Sequence, residues 1–562
     1  MDIPPNNFRR KIMKQIATKE THYYRTFKEF LTESSAKFQD RPAVTSYMRN
    51  GTPQVKSYKD LKNDAFLFGR ALCACGLQGK HIALAGQNSY PWLVAYFGTV
   101  SAGCTAVCID VEHSDETVEE MILRADADCI VTSADMEQLC RNIQENHSRI
   151  QKLVVIGVNE EAAQSFQAFC RLGDDSEAVR LFDGIEIETG QTASIVFTSG
   201  TTSTAKPVML SHRAILSNAA DSLTLLDSEE RVYNSLPLYH TYGFTCGIMC
   251  PLIRGLNVCI NCDLKRMMME MTSFKPNMIV AVPLIIEVLY KIFWGLIEKT
   301  GKKSKIQKLM KVENAVHKPH TLIASDIEAA IQGSCLEGLN VILSGGAYLS
   351  LEIAQELLHF GVMVLQGYGI TECSPSISCN RNEDFSLDSV GVVLPGNEVK
   401  IENDEILVRG YALMNGYYKA PELTEQSFQD GWFKTGDLGY MDKKGHLHIT
   451  GRKKNLIVMK NGKKVAAEEM EEMLRKIPLV KEVLVYGAVS GVSTDDVKIA
   501  AAIYPDPQLT ENMSSYDILE QLQSFVDQIN SKLPTYKQIQ MINIRDTDFD
   551  KTSAHKIKRQ MV

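Results

Sequence analysis

The run Ser194–His212, SIVFTSGTTSTAKPVMLSH, begins as an apolar strand, Ser194–Phe197, and passes into Thr198, Ser199, Gly200, Thr201, Thr202, Ser203 and Thr204, with Lys206 close behind. Hydroxyls and freed backbone N–H groups at such a loop can ring a polyphosphate, and one ammonium offsets part of its charge. The loop is not of the Walker A type, which requires G-x-x-x-x-G-K and then Ser or Thr. Its composition alone leaves an ordinary Ser/Thr-rich turn open. Other segments that could do chemistry follow: LPLYHTYGF with His240, LSGGAYLS with Gly345, Gly346 and Ala347, and QGYGITECSP with Tyr368, Gly369, Thr371 and Glu372. Beyond them lie WFKTGDLGYMDKKGHLHITGRKKNLI, with Asp437, Arg452 and Lys454, and the final DKTSAHKIKRQ, with Lys556.

The elements that must position these residues alternate. Residues 80–110 read strand, helix, strand (HIALAGQ, PWLVAYFGTVSAG, TAVCID), and the unit repeats in outline at ADCIVTS and LVVIGV. A second series runs from NMIVAVP through a helix after Pro283 to LNVILSGGA and VMVLQGYG. Alternation of this kind predicts parallel α/β sheets, with ligands at the strand ends. From about Val390 short strands with turns predict a β-rich section. The tail predicts a compact α+β unit of helix (Ala467–Lys476), two strands (VKEVLVYGAV, KIAAAIYP) and helix (Tyr516–Lys532). The expected class is therefore α/β: a large N-terminal domain of mixed sheets with flanking helices, residues 1–452, including a β-rich subdomain at about 390–450. A small mobile α+β domain, 453–562, would follow. The charged run Lys299–Lys311 is expected to be a solvated helical insertion, with a membrane-surface contact as the other reading.

With 562 residues and 44% hydrophobic content, the chain can bury several cores. A net charge of −8 argues against general nucleic-acid binding. The first ten residues carry no apolar h-region, so no secretory signal is expected. No run reaches the ~18 apolar residues of a membrane span; Pro283–Ile297 reads as a buried helix. Fourteen cysteines lack metal-ligand spacing, with Cys73/Cys75 and Cys259/Cys262 as scattered pairs. They read as core residues of a protein in a reducing cytosol, so a cytoplasmic location is expected, with at most peripheral membrane contact.

FTSGTTSTAKPVMLSH resembles the phosphate loop of the acyl-adenylate-forming superfamily, which includes acyl-CoA synthetases, nonribosomal adenylation domains and firefly luciferase. That family usually reads T-S-G-T-T-G-x-P-K-G; here Ser203, Ala205 and Pro207 stand for a glycine, a proline and the last glycine. The other segments follow in the family's order, seven motifs from about Tyr24 to Arg559. The match implies that His240 lies near the substrate carboxylate. It implies that Gly345, Gly346 and Ala347 let a flat adenine approach the backbone, with Tyr368 packed on adenine beside Gly369. Thr371 would bind the α-phosphate, and Glu372, with Thr201, would hold Mg2+. Asp437 would accept from both ribose hydroxyls, Arg452 would reach ribose or phosphate, and Lys454 would be the hinge of the C-terminal domain. Lys556 would be the catalytic lysine, with His555 where glycine is usual and Asn455 in place of an acid beside the hinge. In detail the chain is most similar to bacterial long-chain fatty acyl-CoA synthetases.

The resemblance implies two steps. A carboxylate attacks the α-phosphorus of ATP, giving acyl-AMP and pyrophosphate; a thiol then displaces AMP. In the first, Lys556 bridges the two reacting anions while the loop, Lys206 and Mg2+ hold the pyrophosphate. In the second, VMKNGKKVAAEE (Val458–Glu469) lines the thiol path, with Lys460, Lys463 and Lys464 toward CoA. Phe244–Ile253 and Ala281–Tyr290 are either an acyl tunnel or ordinary core. The rival readings are a ligase that loads a carrier protein and a degenerate homologue that binds nucleotide without turnover. Substitution Lys556→Ala is expected to lower carboxylate-dependent ATP–pyrophosphate exchange by ~10²–10³ while the protein stays folded. Exchange at the wild-type rate refutes the role.

Overall fold

The computed structural model describes residues 21–48, 50–198, 205–225, 231–382, 384–459, 463–489, 497–551 and 557–559. Ser199, Gly200, Thr201, Thr202, Ser203 and Lys556 lie outside them. The chain is a mixed α/β protein of two compact units, a large N-terminal one and a smaller one that holds the C-terminus.

The larger unit (Met1–Thr198, Thr204–Glu398 and Arg409–Phe433) contains two sheets. The first has seven strands in the order Gly416–Tyr417, Pro207–Ser211, Thr192–Phe197, Thr105–Cys108, His81–Ala85, Cys129–Ser133 and Lys152–Ile156. From Thr192–Phe197 to Lys152–Ile156 the strands are parallel, as the alternating sequence predicts; Pro207–Ser211 and Gly416–Tyr417 add an antiparallel edge. The second sheet has nine strands. Its parallel centre is Met363–Gly369, Val341–Ser344, Met278–Ala281, Arg231–Asn234 and Asn257–Ile260. Ala281, Ser344 and Gln366 are level in this register. The segments that follow them therefore leave the sheet at one edge, where open sheets place ligands.

The helix Tyr90–Ser101 is buried on nearly every side, as a helix apolar all round must be. At Gly98 a Cβ would lie 2.5 Å from the Ala65 carbonyl oxygen, so glycine is what lets the helix Tyr58–Ala74 cross there. The helix Pro283–Lys299 starts with proline in its first turn, where a missing N–H is harmless. Its apolar sequence predicts a buried helix. Ile286, Leu289, Phe293 and Ile297 are, but Leu284 and Val288 are about 40% exposed, so it covers the sheet with one face.

The insertion is helical over Lys303–Val316, and the lysines of the charged run are exposed, with Lys303 half-exposed, as expected; the helix also has a buried side, which reaches just beyond the run. Its Glu313 is fully buried. One carboxylate oxygen accepts the backbone N–H of Thr321 (2.8 Å) and Leu322 (2.6 Å); the other lies 2.6 Å from His359 Nδ1. His359 ends the helix Leu351–His359, which joins strands Val341–Ser344 and Met363–Gly369 of the parallel centre. Burial opposes the charge of Glu313, but the bonds from His359 and from the Leu322, Thr321 and His320 N–H groups prevail and hold its carboxyl below the usual range. Its stabilisation is complete above the ordinary carboxyl value of 4.5 and is lost as pH falls through the lower folded value.

The smaller unit (Val399–Val408 and Lys434 onward) is built on neighbouring strands Asn397–Glu402, Glu405–Gly410, Trp432–Met441 and Leu447–Arg452. It continues through the helix Ala467–Leu474, the antiparallel pair Val480–Val489 and Val497–Pro505, and the helix Ser515–Asn530. A core of Ile457, Met470, Leu474, Val483, Ile499, Leu522 and their neighbours closes it. In the larger unit, Glu313→Ala would leave His359 and the loop N–H groups of His320, Thr321, Leu322 and Ile323 without their acceptor. We expect a loss of about 3–5 kcal/mol, the usual result of breaking a buried pair, read as a lower chemical-denaturation midpoint. An unchanged midpoint refutes the pinning role.

Candidate active site

Thr198 and Lys206 are the two feet of a hairpin. The strands on either side pair antiparallel, with Phe197 opposite Pro207, and the Thr198 N–H donates to the Lys206 carbonyl at 3.0 Å. The Lys206 N–H approaches Thr198 Oγ1 at 3.3 Å. The ladder thus fixes where the hydroxyl-rich loop leaves and re-enters the seven-stranded sheet. Lys206 Nζ lies 5.1 Å from the centre of the Tyr417 ring, within cation–π range.

Tyr417 belongs to the two-residue edge strand Gly416–Tyr417, opposite Val208. Its hydroxyl donates to Glu372 Oε1 at 2.8 Å. Burial, and then the charge of Glu372, push the phenol far above its ordinary value, so it stays a donor. Glu372 sits in the short turn Thr371–Cys373 just past strand Met363–Gly369, and its carbonyl accepts the Met414 N–H at 2.9 Å. Lys206, at the end of one sheet, and Thr371–Glu372, at the end of the other, are thereby brought together. The turn itself depends on Gly369, where a Cβ would stand 2.1 Å from the Pro375 carbonyl oxygen. The amide of Asn218 holds the next strand from both directions, donating to Ser376 O (2.7 Å) and accepting from Ser376 N (3.0 Å).

Gly345 and Gly346 follow strand Val341–Ser344 directly. At Gly345 a side chain is excluded because the Tyr242 ring would lie 2.9 Å from its Cβ. Gly346 has φ +83°, a left-handed conformation suited to glycine. Ala347 is exposed, and Tyr368, two strands' length of chain further on, is half-buried on the adjacent strand. The Tyr242 hydroxyl donates to Leu343 O at 2.9 Å. Tyr242 opens a π-helical segment, Tyr242–Met249, a form that often marks functional sites. His240 lies just before it, half-buried, its ring centre 4.9 Å from that of Tyr239. Asn234, at the end of its strand, supports this turn: Nδ2 donates to Gly243 O (3.2 Å) and Oδ1 accepts from Leu236 N (3.2 Å). Asn88, from the other sheet, accepts from Leu238 N at 2.8 Å. Most of Phe244–Ile253 is buried.

Within the smaller unit Asp437 and Arg452 are cross-strand partners, Nε to Oδ1 at 2.8 Å, with Asp437 buried. The Asp437 N–H donates to Thr435 Oγ1 at 3.1 Å, which fixes the backbone behind the carboxylate. Lys454 is exposed in the turn Lys453–Asn455 that follows, where the neighbouring Lys453 donates to Glu405 at 2.7 Å. Lys463 Nζ lies 4.0 Å from the Tyr536 ring centre; Lys460 lies outside the described residues. Tyr417, Asn234 and Asn88 were not singled out from the sequence. A two-residue strand has no periodicity to detect, and a lone Asn has no motif around it. The Tyr-Tyr pair after Asn415-Gly416 was the available signal.

A Ser/Thr loop foot, an ammonium and a buried-edge carboxylate are hard donors and charges of the kind that suit a polyphosphate with Mg2+. Two family descriptions match the chain: AMP-binding enzyme over residues 31–418 and AMP-binding enzyme C-terminal domain over 454–562. The long-chain-fatty-acid–CoA ligase FadD15 of Mycobacterium bovis is 26% identical over 541 residues, covering 87% of both chains. The chloroplastic long-chain-fatty-acid–acyl-carrier-protein ligase AEE15 of Arabidopsis thaliana is also 26% identical, over 94% of this chain and 84% of its own. Among solved structures, the anthranilate CoA ligase AuaEII in complex with anthranoyl-AMP shares the fold with a TM-score of 0.76 at 20% identity, covering 96% of each chain.

Tyr417→Phe keeps the ring beside Lys206 but removes the donor to Glu372, a bond to a charged group that typically contributes about 1.5–3 kcal/mol. The expected outcome is a rise of roughly tenfold, the equivalent of ~1.4 kcal/mol, in the Mg2+ concentration giving half-maximal pyrophosphate release. A metal titration that does not move removes Tyr417 from the site.

Proposed function

The chain belongs to the AMP-binding enzyme family, and on that premise we propose that it is an AMP-forming ligase joining a fatty acid to CoA through an acyl-adenylate. The observation that carries this reading is the approach of Lys206, through Tyr417, to Glu372. It gathers a cation and a metal-type carboxylate at the feet of a hydroxyl-rich loop. ATP is the proposed first substrate. Thr198, Lys206 and the loop residues Ser199, Gly200, Thr201 and Thr202 would hold its phosphates, and Thr371 its α-phosphate. Gly345, Gly346, Ala347, Tyr368 and Gly369 would face the adenine, and Asp437 with Arg452 the ribose. Glu372 and Thr201 would hold Mg2+, which when bound supplies charge neutralisation on the leaving pyrophosphate. His240 would lie at the substrate carboxylate.

The protein's work in the first step is to bring two anions together. Positioning removes the entropy of encounter, and fixed cations offset the repulsion. Lys556 is the proposed ammonium between carboxylate and α-phosphate. We assign the residues from 453 onward to a small domain that turns about Lys454 between the two steps, and Val458–Glu469 to the thiol path. A fatty acid is favoured by the FadD15 similarity and by the apolar character of Phe244–Ile253. Transfer to a carrier protein is the second reading, because the carrier-protein ligase AEE15 is also 26% identical to this chain. No described helix is long and apolar enough to cross a membrane; a cytoplasmic enzyme with at most peripheral membrane contact is part of the proposal.

The test is a panel of acids (octanoate, hexadecanoate, benzoate) with ATP and Mg2+, offered CoA or a phosphopantetheine-bearing carrier protein. The expected result is AMP release and thioester formation that require hexadecanoate and free CoA. Thioester on the carrier alone selects the second reading. Absence of acid-dependent AMP release with every acid overturns the assignment as a ligase.

A further inference from the structure

Asn88 follows the strand His81–Ala85 of the seven-stranded sheet, just ahead of the helix Tyr90–Ser101. Its amide reaches the main chain of two segments that leave neighbouring strands of the nine-stranded sheet. Nδ2 donates to Leu236 O at 2.9 Å and to Asn261 O at 3.0 Å, and Oδ1 accepts the Leu238 N–H at 2.8 Å. Leu236 and Leu238 follow the strand Arg231–Asn234; Asn261 follows Asn257–Ile260, its parallel neighbour. The amide's orientation is forced, because turned over it would set an oxygen against two carbonyls and an NH2 against an N–H. The far side of this join is held in the core. Asn261 Nδ2 donates to Glu270 Oε2 at 2.9 Å, and the Tyr233 hydroxyl donates to the same oxygen at 2.7 Å. Glu270 is fully buried in the helix Met267–Phe274, where a carboxylate is costly unless hydrogen-bonded. Burial, and then the charge of Glu270, push the Tyr233 phenol far above its ordinary value, so it stays a donor. Asn261 therefore offers Asn88 a fixed carbonyl.

The gripped segment leads straight to His240. The His240 N–H donates to Pro237 O at 3.3 Å, and the Phe244 N–H donates to His240 O at 2.9 Å. The turn that carries the imidazole thus starts at Pro237, between the two residues whose main chain Asn88 holds. We propose that Asn88 is a positioning residue for the acid side of the site, setting where His240 stands by tying its turn to Asn261 and to the seven-stranded sheet. The inference rests on the reading above that puts His240 at the substrate carboxylate. Asn88 is not placed against substrate; it acts through the turn. Asn234 supports the same turn from its own strand, so the two amides share the load. The groups proposed to face adenine and Mg2+ lie on or after other strands, Val341–Ser344 and Met363–Gly369. The effect of Asn88 therefore falls on the acid rather than on ATP.

Steady-state kinetics of the full-length enzyme separate the two substrates. Asn88→Ala is expected to raise KM for hexadecanoate about tenfold, short of the ~10²-fold that a ~1 Å misplacement can cost, because Asn234 still holds the turn. KM for ATP is expected to stay within about twofold, whereas a merely structural role would lower the folded fraction and move neither KM. Asn88→Asp keeps the acceptor for Leu238 but sets an anion against two carbonyls, and is expected not to restore the KM for acid. An equal or larger rise for ATP, no rise for the acid, or restoration by Asn88→Asp overturns the proposal. Amide hydrogen exchange in the peptide that bears Leu238 gives a readout independent of turnover. Faster exchange in Asn88→Ala supports the join, and unchanged exchange overturns it. A wild-type enzyme inert toward every acid overturns the functional reading instead, and the exchange measurement then decides the join alone.

Discussion

One hydroxyl, that of Tyr417, stands between two sheets that otherwise have separate strand ladders. It rides on the edge of the seven-stranded sheet and donates to Glu372 at the end of a strand of the nine-stranded one. Thr198 and Lys206 flank strands of the first sheet; Thr371, Glu372, Tyr368 and the Gly345–Gly346 turn belong to the second. If the sheets shifted against each other, these groups would separate. The contact does not act alone: Met414 N donates to Glu372 O, and Ser374 Oγ to Ala412 O, so the chain after Tyr411 is stitched to the turn on the backbone as well. Burial keeps the phenol protonated, which makes this join insensitive to pH over the range in which carboxylates stay ionised.

The sequence made the strand–helix alternation legible because each parallel strand is a short apolar run bounded by turn residues. HIALAGQ, TAVCID, NMIVAVP and LNVILSGGA all became strands where alternation placed them. The helices Ala467–Leu474 and Ser515–Asn530 lie within two residues of the bounds expected. What periodicity could not convey was tertiary. The run Lys299–Lys311 looked like solvated charge because lysines dominate it, yet two positions beyond it Glu313 is buried and carries the loop and His359. A glutamate's burial is decided by partners distant in sequence, and nothing local announces them. The same holds for Tyr417, whose partner is 45 residues earlier in the chain.

For the candidate site, motif order located the segments but not their physical reasons. Gly345 reads as a place where a ring can approach backbone. The structure shows a prior demand on it, since Tyr242 already occupies the space a side chain would take. Gly369 is likewise required by the Pro375 carbonyl before any nucleotide is considered. Asp437 reads as a ribose acceptor, and in the structure its carboxylate already holds Arg452. Residue type at such positions reflects packing and chemistry together, so sequence identity alone cannot separate them.

The hairpin under Thr198 and Lys206 has a thermodynamic corollary. Bringing the ends of a flexible segment together costs roughly (3/2)RT ln n, and here the Phe197–Pro207 ladder and the Thr198–Lys206 bond have met that cost during folding. A ligand that meets both feet therefore finds their separation already set by the sheet. Inserting a few residues between Thr198 and Lys206 would leave the span between these two feet fixed by the sheet.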